Sequence, residues 1–244
     1  MALKEYTAII SCEAVEYIPR LETYFDVLEV KPDLLLQKPV QCHADMIVTI
    51  VGNCAVIPER YAIENGDFVK HLEERCGIRV IPSSCDRGAE YPRDVAFNVL
   101  TCGSFAFSLK KHTSHDVADM LNESGYTHVN VRQGYAACSS LACDRFIITA
   151  DPAVEKGAVS VGLDVMRICE GHIRLEGYST GFIGGASGVC GNTVYFLGNI
   201  SHHPDGKKIR EYIYTHGYDI VCLSDGELCD LGGIKFVKNI GCKA

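Results

Sequence analysis

One layout repeats along this chain, and it constrains the fold more than any other feature. Each copy reads as two short apolar strands meeting at a turn, then a helix, then a further short strand. The first copy begins at His43-Ala44-Asp45, runs through MIVTIVG into a strand over 54–57, and predicts a helix over 62–75 and a last strand over 78–81. The second begins at 92–94, continues VAFNVLT into 104–107, and predicts a helix between a Ser114 cap and Gly125, then a strand over 128–131. The third begins at 135–137 and continues CSSLACD into 146–149. Asp151-Pro152 there fits an N-cap and first helical position, and 164–168 reads as the last strand. The fourth begins at 183–185 and continues ASGVCGN into 194–197, with a helix over 206–216 stopped by Gly217 and a strand over 219–223.

A fifth copy starts at 228–234, but the chain ends before any helix. The missing half stands at the other end: a strand over 7–11, a short helix over 14–24 with Pro19 near its start, and a strand over 26–30. Equivalent positions 45, 94, 137, 185 and 230 are spaced by 49, 43, 48 and 45 residues. This complementarity predicts a single α/β domain over 1–244: a five-bladed α/β propeller of ββαβ units around a pseudo-fivefold axis. Pairing of the N- and C-terminal strands would close it and remove the two unpaired edges of an open ring. A doubly wound parallel sheet also alternates strands and helices, but it does not need paired strands before each helix.

Composition narrows function by exclusion. With 47% hydrophobic residues and 22% charged, the chain has the profile of an ordinary globular protein. A formal net charge of −8 disfavours nucleic acid or an anionic membrane as the main partner. The longest uncharged stretch, 177–201, holds seven Gly and is too polar to span a bilayer. An acidic residue at Glu5 interrupts the place where a signal peptide needs an apolar run, so a cytoplasmic location with reduced thiols is expected. The 13 Cys include no CxxC pair and no Cys/His cluster at zinc spacing. No metal or cofactor is therefore expected, and most thiols read as core filler.

The segments YPRDVAFN at 91–98, QGYAACSS at 133–140, GFIGGASG at 181–188 and DGELCDLGGI at 225–234 resemble the pentein fold. This is the scaffold of guanidino-group-modifying enzymes such as arginine deiminase, dimethylarginine dimethylaminohydrolase, agmatine deiminase and glycine amidinotransferase. The last three segments look like an uncharacterised bacterial family with that fold. The ribosome anti-association factor of archaea and eukaryotes is similar in fold and length, and it is a binding protein. The resemblance spans 6–237. It implies a Cys nucleophile in the last unit, a His acid/base in the third, and carboxylates in the first two that hold a planar cation by paired hydrogen bonds.

Set against that pattern, the last unit offers Cys229, while the repeat register puts Asp230 at the nucleophile's position. In the third unit Tyr135, Ala136, Ala137 and Cys138 stand where a His belongs. Cys229 and Cys138 are the candidate nucleophiles, and His43 is the nearest acid/base. Asp45, Asp94 and Asp230, with Arg93, Asn98 and Ser187, are the candidate ligand-binding set. Three in-register Asp residues would need a cationic ligand, or Arg93, to offset their charge. The expected function is Cys-dependent hydrolysis of a small guanidino or amidino compound in an axial pocket; the alternative is a non-catalytic pentein that binds a ligand or a macromolecule. Cys54, Cys102, Cys143 and Cys190 sit at strand-to-strand turns and read as structural. GFIGGASG lacks the Gly-Lys-Ser/Thr ending of a phosphate loop and leads into a strand, so its glycines fit close backbone approach instead. His202-His203-Pro204 reads as a solvated helix-entry loop, as do His112 and His115 beside their cap.

Overall fold

The computed structural model describes residues 4–241 and arranges them in five three-stranded sheets. The N-terminal half-unit supplies β1 (Tyr6–Ser11), α1 (Ile18–Leu21) and β2 (Asp26–Val30). Unit one contains the helical turn α2 (Ala44–Ile47), then β3 (Thr49–Val51), β4 (Cys54–Pro58), α3 (Glu59–Glu64), α4 (Gly66–Lys70) and β5 (Arg79–Ser83). Unit two contains β6 (Leu100–Cys102), β7 (Phe105–Ser108), α5 (His115–Glu123) and β8 (Thr127–Asn130). Unit three follows with β9 (Ser140–Ala142), β10 (Phe146–Thr149), α6 (Pro152–Ser160) and β11 (Asp164–Arg167). Unit four has β12 (Ser187–Cys190), β13 (Thr193–Phe196), α7 (Gly206–Thr215) and β14 (Asp219–Cys222), and β15 (Lys235–Lys238) comes last.

Every sheet has the same wiring. Its middle strand runs antiparallel to the first and parallel to the third, as β10 does between β9 and β11. The fifth sheet obeys this rule with strands from both ends of the chain. There β1 is the middle strand, antiparallel to β15 from Tyr6↔Lys238 to Ile9↔Lys235 and parallel to β2 from Thr7↔Asp26 to Ser11↔Val30. A doubly wound sheet is excluded, because no strand is shared between units.

Burial explains why the middle strands are continuous apolar runs. All four residues of β10 are buried, and the helix α6 crosses from it to the parallel partner β11. Asp151 begins that helix by accepting hydrogen bonds from Ala153 N at 2.7 Å and Val154 N at 2.9 Å, with Pro152 in the first turn. Ser114 does not play the same part for α5: its hydroxyl bonds Ser83 Oγ at 2.8 Å instead of the helix N-terminus. Gly125 then leaves α5 at φ +77°, a conformation that favours glycine.

Three element boundaries differ from the sequence expectation. The helix over 62–75 starts at Glu59 and breaks at Asn65, whose side-chain amide donates to the Tyr61 carbonyl at 3.0 Å and competes with the backbone ladder. The N-terminal helix over 14–24 contracts to α1, with turns on either side. Most consequential, the first strands are short: residues 43–48, 92–99, 135–139 and 228–234 form turns or single helical turns ahead of them. His43, Asp94, Asn98, Cys138 and Asp230 therefore sit on loops and Asp45 on a helical turn, while Ser187 and Lys235 begin β12 and β15.

Apolar clusters join each unit to the next: unit one to two around Phe97, two to three around Phe107 and Ile147, three to four around Phe146 and Phe196. Unit four packs on unit five around Phe25 and Leu197, and unit five on unit one around Ile9 and Ile57. Burying each such side chain contributes roughly 1.5–3 kcal/mol. No helix among the described residues is long and apolar enough to cross a membrane. The cysteines among them are all free thiols, and Cys12 and Cys42 come within 3.6 Å.

Candidate ligand site

The first strands and the turns ahead of them meet. Asp45, Thr101, Ser140, Ser187 and Lys235, one from each unit, line a single cavity of about 210 Å³. Asp45 lies in α2, whose start brings His43 and Asp45 against the Asp230 loop; the Asp45 amide donates to the Gly232 carbonyl at 3.2 Å. His43 Nδ1 stands 3.8 Å from Asp230 Oδ1 and 4.0 Å from Asp45 Oδ1, with all three side chains buried. Neither carboxylate oxygen of Asp45, and neither ring nitrogen of His43, has a hydrogen-bond partner in the protein. Buried polar atoms of this kind are rare and costly.

Asp230 is better satisfied. It accepts from Phe182 N at 2.9 Å and Gly232 N at 3.1 Å. Burial pushes its carboxyl up to about 6; His43 and the two amides oppose that rise, and the neighbouring Asp45 adds to it. The glycines of GFIGGASG make room for this arrangement. A Cβ at Gly185 would overlap the Asp230 carboxylate, and one at Gly184 would meet the carbonyls of Ala137 and Ser140.

Cys138 lies on the turn before β9, not at the start of that strand, and is 4% exposed. Asn98 fixes it in place. The Asn98 amide nitrogen donates to Cys138 Sγ at 3.0 Å and to the Asp45 carbonyl at 3.1 Å, while its oxygen accepts from Ala137 N at 2.8 Å. Burial, reinforced by Asp45 and Asp230, holds the Cys138 thiol well above its ordinary value. Lys235 completes the group and escaped sequence reasoning. Desolvation lowers its ammonium pKa, with Asp45 and Cys138 opposing. A charged residue at the start of the strand in an otherwise apolar IKFV run was the only signal for it.

Asp94 and Arg93 do not join this cluster. Asp94 accepts from Tyr135 Oη at 2.6 Å; burial raises its carboxyl, and that bond and the positive Arg87 oppose the rise. Arg93 points to solvent and pairs with Asp86, so it does not offset the buried carboxylates. The inward arginine of that loop is Arg87, bonded to Asp33 at 2.6 Å and stacked 5.2 Å from the Phe97 ring centroid. Ser187 lines the cavity but spends its hydroxyl on the Ile183 carbonyl at 2.7 Å.

Cys229 faces away from the cluster. Its segment is extended beside Arg174, with Asp230 N donating to the Arg174 carbonyl at 2.8 Å. It opens on a second cavity, about 870 Å³, whose walls include Tyr17, Glu16, Lys38, Arg174 and Asp230. Burial raises the Cys229 thiol, and the Arg174 guanidinium pulls the other way. Neither Cys138 nor Cys229 has a His within hydrogen-bond distance among the described residues. His203 also departs from expectation: it is 3% exposed, because the helix-entry loop folds back onto unit three.

Comparison with known proteins follows the geometry. A family model described as a family of unknown function (DUF6873) matches residues 9–235. No curated protein matches the sequence. A Cys-to-Ser mutant of DDAH from Pseudomonas aeruginosa complexed with citrulline superposes with a TM-score of 0.54 at 12% identity, covering 98% of this chain and 100% of that one. Agmatine deiminase of C. jejuni gives a TM-score of 0.57 at 8% identity, covering 92% and 91%. The amidinotransferase SxtG from Microseira wollei gives 0.53 at 11% identity, covering 98% and 96%. At these identities the likeness is one of fold, and that fold is the pentein fold.

Proposed function

We propose that this chain, which belongs to the DUF6873 family, binds a small guanidino or amidino compound between Asp45, His43 and Asp230. Its five units would stand as blades around a pseudo-fivefold axis, closed by the β1–β15 pairing, with this cluster near the axis. The observation that carries the reading is Asp45: a buried carboxylate neither of whose oxygens has a hydrogen-bond partner in the protein, beside a second buried carboxylate. A planar cation would supply paired donors to such a group. The solved structures that share the fold are named for guanidino and amidino chemistry, which supports the same ligand class.

A second reading, Cys-dependent hydrolysis of that ligand, rests on Cys229 beside Arg174 in the larger cavity. The raised thiols and the lack of an adjacent His favour binding over turnover. One panel separates the two. Arginine, agmatine and methylarginines are titrated calorimetrically, and ammonia or amine release is followed in parallel. Binding by at least one compound is expected, weakened roughly 10- to 100-fold by Asp45→Asn, the loss of one charged hydrogen-bonding group. Silence across the panel would remove the reading. Product release abolished by Cys229→Ala would establish the hydrolytic one instead, and a native thiol alkylated by iodoacetamide well below pH 7 would point the same way.

A further inference from the structure

A second cluster lies where unit three meets unit four, on residues outside the loops described above. Cys169 follows β11, and His203 and Asp205 precede α7. One ligand atom from each, a thiol sulfur, an imidazole nitrogen and a carboxylate oxygen, lies within 4.8 Å of the other two. From this juxtaposition we propose that Cys169, His203 and Asp205 form a binding site for one zinc-class divalent ion. The proposal is independent of the ligand reading for the Asp45 cluster.

The donor set has the chemistry for it. A mixed sulfur, nitrogen and oxygen set with three protein ligands is what zinc accepts while keeping a fourth position open. Tetrahedral coordination at the usual bond lengths puts ligand atoms roughly 3.3–3.6 Å apart, so closure requires shifts of about 1 Å. The site is also built. Asp205 Oδ2 accepts from Cys169 N at 2.7 Å, which ties the two segments together. The Asp205 amide donates to His203 Nδ1 at 3.1 Å, so that nitrogen carries the lone pair of the neutral imidazole, and a metal ion would take it in place of the amide. His203 is 3% exposed and its Nε2 has no hydrogen-bond partner in the protein.

Two further features bear on the site. His172 holds φ +62°, the only non-glycine residue described in the left-handed region, and its ring centroid is 5.9 Å from that of His203. Strain of this kind clusters at functional positions. Against the ion stands Lys208, whose ammonium is 3.1 Å from Asp205 Oδ1. That ammonium is exposed and can swing to solvent. As the metal–sulfur bond forms, the thiol proton passes to bulk water.

The test uses the full chain, reduced with a phosphine and stripped of metal, titrated with Co²⁺. One equivalent should produce visible d–d bands of a low-coordinate centre together with a thiolate-to-cobalt charge-transfer band, and Zn²⁺ should displace both. Cys169→Ser should abolish the charge-transfer band and weaken binding by more than the roughly 10- to 100-fold cost of losing an outer hydrogen-bond partner. Because Cys169 is exposed, that variant will fold. Cys54→Ser and Cys85→Ser should leave the spectrum unchanged. His203→Gln, checked for folding by circular dichroism, should lose the tight site while Cys169 remains. No charge-transfer band at one equivalent, or a band that survives Cys169→Ser, would overturn the proposal.

Discussion

The ionisation of Asp230 is coupled to folding. Its carboxyl sits at about 6 in the folded chain, against roughly 3.9 for an unfolded one. The folded state thus binds the proton more tightly, and the sign follows from linkage. Below pH 4 both states hold the proton and the group contributes nothing. Between about pH 4 and 6 the unfolded chain ionises first, so stability falls as pH rises, and above 6 the cost is constant, on the order of 3 kcal/mol. Urea melts of wild type and Asp230→Asn across this range should show a difference that grows from pH 4 to 6 and then stays flat. A flat difference throughout would remove Asp230 as its source. The same titration predicts that a cationic ligand binds more weakly below pH 6, as the second carboxylate loses its charge. Gly185 is the companion of Asp230. Gly185→Ala would drive a methyl into that carboxylate, and a loss of at least 1–3 kcal/mol is expected in the same melts.

At the scale of elements, the structure separates what an isolated sequence can disclose from what it cannot. Middle strands such as β10 and β13 were legible because burial on both faces leaves a short apolar run between turn residues, Asp144-Arg145 before β10 and Gly191-Asn192 before β13. The α6 cap was legible too, since Asp-Pro at that position has one efficient use. Asp151→Ala should therefore cost about 1 kcal/mol, within the 0.5–2 kcal/mol of such caps, measured as a shift in urea midpoint. The loops before the first strands were not legible. MIVTIVG has the composition of a strand throughout, yet its opening coils into α2, because that coil lets the Asp45 amide reach the Gly232 carbonyl, a partner far away in sequence. Arg87 and Arg93 share one loop, and only tertiary packing against Asp33 and Phe97 decides which of them turns inward. Lys235 was hidden for the complementary reason: a lone charge in a strand ordinarily faces water.

For the whole molecule, the repeat spacing and the split fifth unit were readable from sequence, because each unit repeats the same apolar pattern. The contacts between units were not, since they depend on which loop residues meet. Clusters that span unit boundaries imply that no unit is stable alone. Phe146→Ala, in the cluster shared by units three and four, should cost about 3–5 kcal/mol and should melt as a single transition with the rest of the chain. A separate, earlier transition would show that the units unfold independently.

The pairing of β1 with β15 also settles how the molecule bears load. The strands are antiparallel with Tyr6 opposite Lys238, so the segments before Tyr6 and after Lys238 lie at the same end of the ladder. A force pulling the termini apart does not shear this ladder as a block. It opens the pairs in turn, from the Asn239–Glu5 backbone bond and Tyr6–Lys238 to Ile9–Lys235, each step breaking few hydrogen bonds. In a single-molecule pulling experiment on the termini the first event should be the low-force release of β15. Attachment points in the β3–β4 and β9–β10 turns would instead load the packed interior and should resist much more strongly.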